Sequence, residues 1–173
     1  MEVLFDAATI SRRVAELGRR ISAAYQGREL ALVGVLNGGF MLTADLARAL
    51  SLPAVTIDFI RAASYGDAAA SGGRVRLGAL DFDPARRHVL LVEDIVDSGH
   101  TMARLREHLL AHQAASVAIC ALIDKKERRE VEVVVEYPGF AVNHGFLVGY
   151  GLDYAQQHRH YPAIYRLDEE TLS

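Results

Sequence analysis

Glu93, Asp94 and Asp97 fall within the stretch Val89 to Thr101, VLLVEDIVDSGHT. Two adjacent carboxylates suit two tasks, accepting hydrogen bonds from vicinal sugar hydroxyls or organising a hydrated Mg2+. Helix capping and plain solvation of surface acids stay open for the same pair. Asp97 precedes Ser98 and Gly99, so its carboxylate could take a proton from a heterocyclic base or cap the helix that follows. Ser98, Gly99 and Thr101 offer hydroxyls and close backbone approach, which suit a phosphate at a helix N-terminus, where N–H groups lack intrahelical acceptors. His100 adds a ring whose charge the sequence leaves open. The spacing differs from the phosphate loop of ATPases, which needs a longer glycine-rich run ending in Gly-Lys-Ser/Thr.

These groups need a frame that brings loops together. Val89 to Val92 read as a buried strand, and Thr101 opens a helix to about His112 with Met102, Leu105 and Leu109 on one face. The short loop between them then holds the three acids near the helix N-terminus. Ile10, Val14, Leu17 and Ile21 recur at spacings of four, three and four, which predicts an amphipathic helix. Leu30 to Leu36 form a dense apolar run ending at Asn37-Gly38-Gly39, a buried strand and its turn. Phe40 to Leu50 return as a helix, and Val55 to Ile60 and Val117 to Ile123 read as strands. The alternation predicts one α/β domain with a central, mainly parallel sheet flanked by helices. Ligand loops gather at the carboxyl ends of such strands.

Three segments stand outside that alternation. Ala62 to Arg74, with Ser64-Tyr65-Gly66 and Ser71-Gly72-Gly73, are a mobile loop or a β-excursion, either a closing hood or a solvent-facing connector. Lys125 to Glu132 are a charged run that reads as a solvated face, except where its start meets a strand end. Asp153 to Ser173 hold Tyr154, Tyr161 and Tyr165, which either seal the site or close the fold. No internal repeat or coiled-coil stretch is present.

Composition narrows the class. The 173 residues, 51% of them hydrophobic, suffice for one sizeable core rather than two. Nineteen Lys plus Arg against 22 Asp plus Glu give a net charge of −3, so bulk basicity makes no case for nucleic acid or an anionic membrane. Cys120 is the one cysteine, which excludes an internal disulfide and reads as a structural thiol in a reducing, cytoplasmic setting. The N-terminal residues MEVLFDAATISRR lack the pattern of a secretory leader, and neither targeting nor a membrane span is expected.

The full stretch, with two consecutive acids, two apolar residues and Asp-Ser-Gly, resembles the signature of type I phosphoribosyltransferases, which bind 5-phosphoribosyl-1-pyrophosphate. Val35 to Leu50, Ser64 to Gly66, Asp124-Lys125 and Phe146 to Asp153 follow in the order seen in the hypoxanthine-guanine phosphoribosyltransferase family. The likeness spans roughly residues 8 to 168. It implies the type I fold over residues 1–173 as a single domain, with a flexible active-site loop and a small hood to which the terminal segments contribute.

The resemblance also implies roles. Glu93 and Asp94 meet the ribose hydroxyls and, with Asp153, the cofactor Mg2+, directly or through water. Asp97 lies near purine N7 as general base, and Ser98, Gly99, His100 and Thr101 surround the 5′-phosphate. Asn37-Gly38 matches a pyrophosphate-binding turn in which a non-proline cis peptide is common, and Arg159 binds pyrophosphate. Some relatives carry Lys or Arg where Asn37 stands, so the backbone is the expected contact here. Lys125 directs its ammonium at the purine O6, which favours an oxo group because a lysine cannot accept a proton from an amino group. Phe146 stacks on the purine and the Leu147 backbone reads its edge, although each alone reads as core and Lys125 alone as an exposed lysine. Ser64 and Tyr65 belong to the closing hood.

The implied reaction joins hypoxanthine or guanine to phosphoribosyl pyrophosphate, giving IMP or GMP and pyrophosphate in purine salvage, by a homodimer or homotetramer. Two alternatives remain: a xanthine/guanine-preferring enzyme, and a nucleotide-sensing RNA-binding regulator on the same fold. The complete acid set and the lack of a dominant basic tract count against the second.

Overall fold

The computed structural model describes residues 1–65 and 74–168, with side chains left undescribed at 63–65 and 74–76. In chain order the elements are β1 (Glu2–Phe5), α1 (Ala7–Ala24), β2 (Leu30–Leu36), α2 (Phe40–Ala49), β3 (Val55–Tyr65), β4 (Arg74–Leu77), β5 (His88–Val96), α3 (His100–Ala111), β6 (Ser116–Lys125), β7 (Tyr137–Val142), β8 (Phe146–Val148) and β9 (Ile164–Leu167). The main sheet has the order β4-β3-β2-β5-β6-β7. All its pairings are parallel except β3 with β4, which is antiparallel.

The apolar runs form central strands because both sheet faces are covered. Leu30, Leu32, Leu90 and Val92 point to the side where α1 and α2 bury Ile10, Val14, Leu17, Ile21, Leu42 and Leu46. Their neighbours Ala31, Val33, Val89 and Leu91 point the other way, onto Met102, Leu105 and Leu109 of α3. A continuous hydrophobic strand is what this three-layer arrangement requires. Each such fully buried aliphatic side chain contributes about 1.5–3 kcal/mol from area removed from water. The start of α1 is fixed by Asp6, whose Oδ1 accepts the Thr9 N–H at 2.7 Å.

The structure extends three of the expected strands. β3 runs on to Tyr65 and returns as β4, with Ala62 opposite Leu77 and Tyr65 opposite Arg74, so the segment after Ile60 is a β-excursion. Ser64 and Tyr65 end its outgoing strand, while Gly66 and Ser71-Gly72-Gly73 lie outside the described residues. β7 was not expected; it is an edge strand beside β6, a position that tolerates its Pro138.

A second sheet, β1-β9-β8, joins the two ends of the described chain, with Glu2 opposite Arg166 and Phe146 opposite Leu167. Its Leu147 and Ile164 share the core of α1 and α2, and Phe5 stacks on Phe140 of β7 at 4.0 Å between ring centroids. No helix among the described residues is long and apolar enough to cross a membrane.

Candidate active site

β5 carries the acids further than their sequence suggests. Its ladder with β6 continues through Glu93 opposite Ala121 and ends at Val96 opposite Asp124. Glu93 and Asp94 are therefore strand residues, contrary to the loop position expected for them, and the turn proper is Asp97 to Gly99. The cause is Ile95 and Val96, which pack into the two cores on opposite faces and hold the strand past the acids.

Both acids are 8% exposed and line a cavity of about 520 Å3 at the carboxyl end of the sheet. Glu93 Oε1 accepts the Asp94 N–H at 3.1 Å, and Asp94 Oδ1 accepts the Ile95 N–H at 2.8 Å. Burial pushes both carboxyls above their ordinary range, Glu93 furthest because the Asp94 charge adds to its burial. Hydrogen bonds from Glu93 and Ile95 partly offset burial at Asp94. Arg159, whose field reaches both acids, is engaged by Asp153 at 2.7 Å and by the Gly151 carbonyl at 2.6 Å.

A buried acid pair short of positive charge, with oxygen donors only, fits Mg2+, which takes one or two carboxylates plus water and substrate phosphates. Among the described residues no three His, Cys, Asp or Glu side chains converge into a protein-only metal cage. Asp153 lines the same cavity but faces Arg159, so a cation there would share it with that guanidinium.

The turn after β5 is shaped for a ligand. Gly99 has φ 91°, and a Cβ on it would overlap the Val131 carbonyl oxygen, so the position admits only glycine without rearrangement. Ser98, Gly99 and Thr101 line an adjoining cavity of about 260 Å3 that shares Glu93, Ile95, Asp97, Thr101 and Arg128 with the larger one. The Ser98 carbonyl is held by the Glu130 and Val131 N–H groups at 2.9 and 3.0 Å. Asp97 does not cap α3: Gly99 is the N-cap residue, with no side-chain cap bond. Asp97 Oδ1 is buried and has no hydrogen-bond partner among the described residues, and Oδ2 lies 3.9 Å from Arg128 Nη1. His100 turns its ring to Glu130 at 2.8 Å and lines neither cavity.

Across the larger cavity, Lys125 ends β6, is 7% exposed and donates from Nζ to the Gly145 carbonyl at 3.1 Å. Phe146 is 40% exposed and meets Tyr154 edge-on at 5.5 Å, while Leu147 is buried. Tyr154 therefore flanks the site, whereas Tyr161 packs on Tyr165, His158 and His160 and closes the tail.

The turn Asn37-Gly38 faces Asp94. A Cβ on Gly38 would overlap Asp94 Oδ2, and one on Gly151 would overlap the Gly38 carbonyl, so the turn is confined from both sides. The cis peptide is Leu36–Asn37, one bond earlier than the turn expected to hold it. Asn37 points to Arg61, whose Nη1 donates to Asn37 Oδ1 at 3.4 Å, and only Gly38 of the pair lines the cavity.

Most of the proposed residues thus surround one pocket: Gly38, Glu93, Asp94, Asp97, Thr101, Lys125, Phe146, Leu147, Asp153 and Arg159. Asn37 and His100 stand beside it, and the side chains of Ser64 and Tyr65 lie outside the described residues. Sequence reading missed Arg128 and Arg129. The charged run Lys125 to Glu132 is no uniform solvated face, because Arg128 lines both cavities and the Arg129 side chain is only 9% exposed. The signal available was their closeness to the end of β6, which a count of charges hides.

A family model described as a phosphoribosyl transferase domain matches residues 2–155. The hypoxanthine phosphoribosyltransferase of Salmonella typhimurium is 47% identical over 167 residues, which are 95% of this chain and 93% of that protein. The hypoxanthine-guanine phosphoribosyltransferase of Aquifex aeolicus is 37% identical over 171 residues, 98% of this chain and 96% of that protein. Among solved structures, a hypoxanthine phosphoribosyltransferase from Staphylococcus aureus superposes with a TM-score of 0.95 at 34% identity, covering 100% of this chain and 94% of that one. By this family match and these likenesses in sequence and fold, the chain belongs to the phosphoribosyl transferase family and has its type I fold.

Proposed function

We propose that the protein transfers the 5-phosphoribosyl group of phosphoribosyl pyrophosphate to hypoxanthine or guanine, releasing pyrophosphate and forming IMP or GMP. One observation carries this reading: Asp97, whose Oδ1 has no hydrogen-bond partner among the described residues, and the buried Lys125 line the same cavity as Glu93 and Asp94. A purine needs a proton acceptor at its reacting imidazole edge and a donor at its oxo edge, and these two groups supply them.

Gly38 and the Arg159 guanidinium take the pyrophosphate end of the sugar, the turn Ser98 to Thr101 takes the 5′-phosphate, and Glu93 and Asp94 hold the ribose hydroxyls between them. Asn37 backs the pyrophosphate turn, and His100, through Glu130, backs the phosphate turn. Phe146 offers its face to the purine, and the Leu147 backbone faces the purine edge. As the purine nitrogen bonds to ribose C1 and the C1–oxygen bond to pyrophosphate breaks, Asp97 accepts the N7 proton. Arg159 stabilises the charge growing on the leaving oxygens. Glu93, Asp94 and Asp153 would hold Mg2+, which when bound supplies further positive charge to the pyrophosphate. The β1-β9-β8 sheet and the β3–β4 excursion with Ser64 and Tyr65 act as the hood of a single domain over residues 1–173. A cytoplasmic location accords with the lone, buried Cys120. The exposed side chains of Phe40, Ile57 and Phe59 support a homodimer or homotetramer.

The direct test supplies phosphoribosyl pyrophosphate with hypoxanthine, guanine, xanthine or adenine, with and without Mg2+. Nucleotide and pyrophosphate should appear with the 6-oxopurines and Mg2+. No product from any base under these conditions would remove the proposal, and xanthine as the best substrate would replace it with the xanthine-preferring reading. Protection of RNA at physiological salt without turnover would favour the regulator.

A further inference from the structure

The ladder between β5 and β6 stops at Val96 opposite Asp124, one residue short of both Asp97 and Lys125. Beyond that pair no β5–β6 rung ties Asp97 to Lys125: Lys125 is paired on its other side with Val142 of β7, and Asp97 lies past the end of β5. Arg129 occupies the space where the next rung would be. Its Nε donates to the Asp97 carbonyl at 2.8 Å, and Nη2 faces the carbonyls of Val96 and Lys125, each at 3.1 Å. Nη2 also donates to Asp124 Oδ1 at 2.7 Å, and Nη1 to the Val133 carbonyl at 3.3 Å.

The Arg129 and Asp124 side chains are 9% and 12% exposed, so the ion pair is largely shielded from water. A guanidinium suits this place because its donors lie in one plane in a fixed fork, whereas an ammonium is a point charge on a flexible stem.

We infer that Arg129 is a positioning residue, setting the distance between the proton acceptor Asp97 and the purine-reading Lys125 by cross-linking the ends of β5 and β6. The inference rests on the roles proposed above for those two residues. Arg129 touches neither substrate; it acts on their relative placement. A displacement of about 1 Å at reacting groups can cost about 100-fold in rate. The 5′-phosphate turn has a further backbone anchor, the Ser98 carbonyl held by Glu130 and Val131, so sugar binding should depend less on the Arg129 side chain than the purine does.

The test compares Arg129→Met and Arg129→Lys with Arg106→Met, which breaks a comparable ion pair to Glu136 at 2.7 Å away from the purine face. Steady-state kinetics are corrected for the folded fraction, and thermal unfolding is recorded for each variant. Both Arg129 variants should lose at least tenfold in kcat and gain several-fold in KM for hypoxanthine, while KM for phosphoribosyl pyrophosphate stays within about threefold. Arg129→Lys should unfold near the wild-type temperature, because its charge still faces Asp124, yet keep the kcat defect. Arg106→Met should lose stability without that split.

Wild-type kcat and purine KM in Arg129→Lys would overturn the inference, and this variant decides the matter if Arg129→Met does not fold. An equal loss across both substrates, matched by Arg106→Met, would reduce Arg129 to a structural residue. Failure of the underlying reading looks different: Asp97→Asn would turn over at the wild-type rate, whatever Arg129 does.

Discussion

Gly38→Ala tests the confinement of the turn proposed to bind pyrophosphate. The added methyl would overlap Asp94 Oδ2, and retreat of the turn is resisted because Gly151 already abuts the Gly38 carbonyl. Asp94 cannot swing away freely either, being 8% exposed with its Oδ1 bonded to the Ile95 N–H at 2.8 Å. Overpacking of this kind costs about 1–3 kcal/mol. If the strain is borne by the free protein, melting should fall by about 2–12 °C, from roughly 2–4 °C per kcal/mol for a chain of this size. If it is instead relieved by displacing the turn, the same energy appears as about 5- to 150-fold weaker binding of phosphoribosyl pyrophosphate. Differential scanning fluorimetry and the KM for phosphoribosyl pyrophosphate, measured on the same preparation, cover both routes. A variant with unchanged melting and unchanged KM would refute the confinement and with it the placement of the turn against Asp94.

Other outcomes follow from the same geometry. Asp97→Asn should lose about 100- to 10,000-fold in kcat while retaining its KM for phosphoribosyl pyrophosphate, and unchanged kinetics would defeat the base assignment. Glu93 is raised by burial and by Asp94, so its protonated form is favoured in the fold, and stability is lost as pH rises through its raised value. In chelator-treated protein Glu93→Gln should therefore melt above the wild type at pH 8 and less so at pH 5, while losing activity; a pH-independent difference would contradict this. The Cys120 thiol, pushed up to about 12 by burial, should resist thiol reagents at pH 8 until the protein unfolds, as a titration with and without denaturant would show.

The central sheet was legible because its strands are buried on both faces, and a run such as Leu30 to Leu36 has no other simple solution. The spacing of Ile10, Val14, Leu17 and Ile21 gave α1 for a similar reason: all four are buried on one face. Short strands were less visible. β8 has three residues, and β1 and β9 have four each, too few to show a period, and their pairing depends on residues far apart in the chain. Within the site, the acids and the turn could be read from local pattern, with the purine half resting on family resemblance. The orientation of His100 toward Glu130 and the low exposure of the Arg129 side chain could not be read locally, since each depends on a partner some 30 residues away. The sequence also could not place Glu93 and Asp94 inside the strand, because apolar residues beyond them, Ile95 and Val96, decide where β5 ends.

The β1-β9-β8 sheet pairs residue 2 with residue 166 and sets β9 between the other two strands. Chains leave the ribosome from the N-terminus at about 5–20 residues per second. The sheet from β2 to β7 can therefore assemble from segments already synthesised, while β1 waits for a neighbour that emerges near the end. Phe146 and Leu147, carried on β8, depend on that same late strand for their alignment. A nascent chain ending before Ile164 would hold Glu93 and Asp94 on β5 and Lys125 on β6 while β8 still lacks its neighbour, so the Phe146–Leu147 side of the pocket is the part finished last.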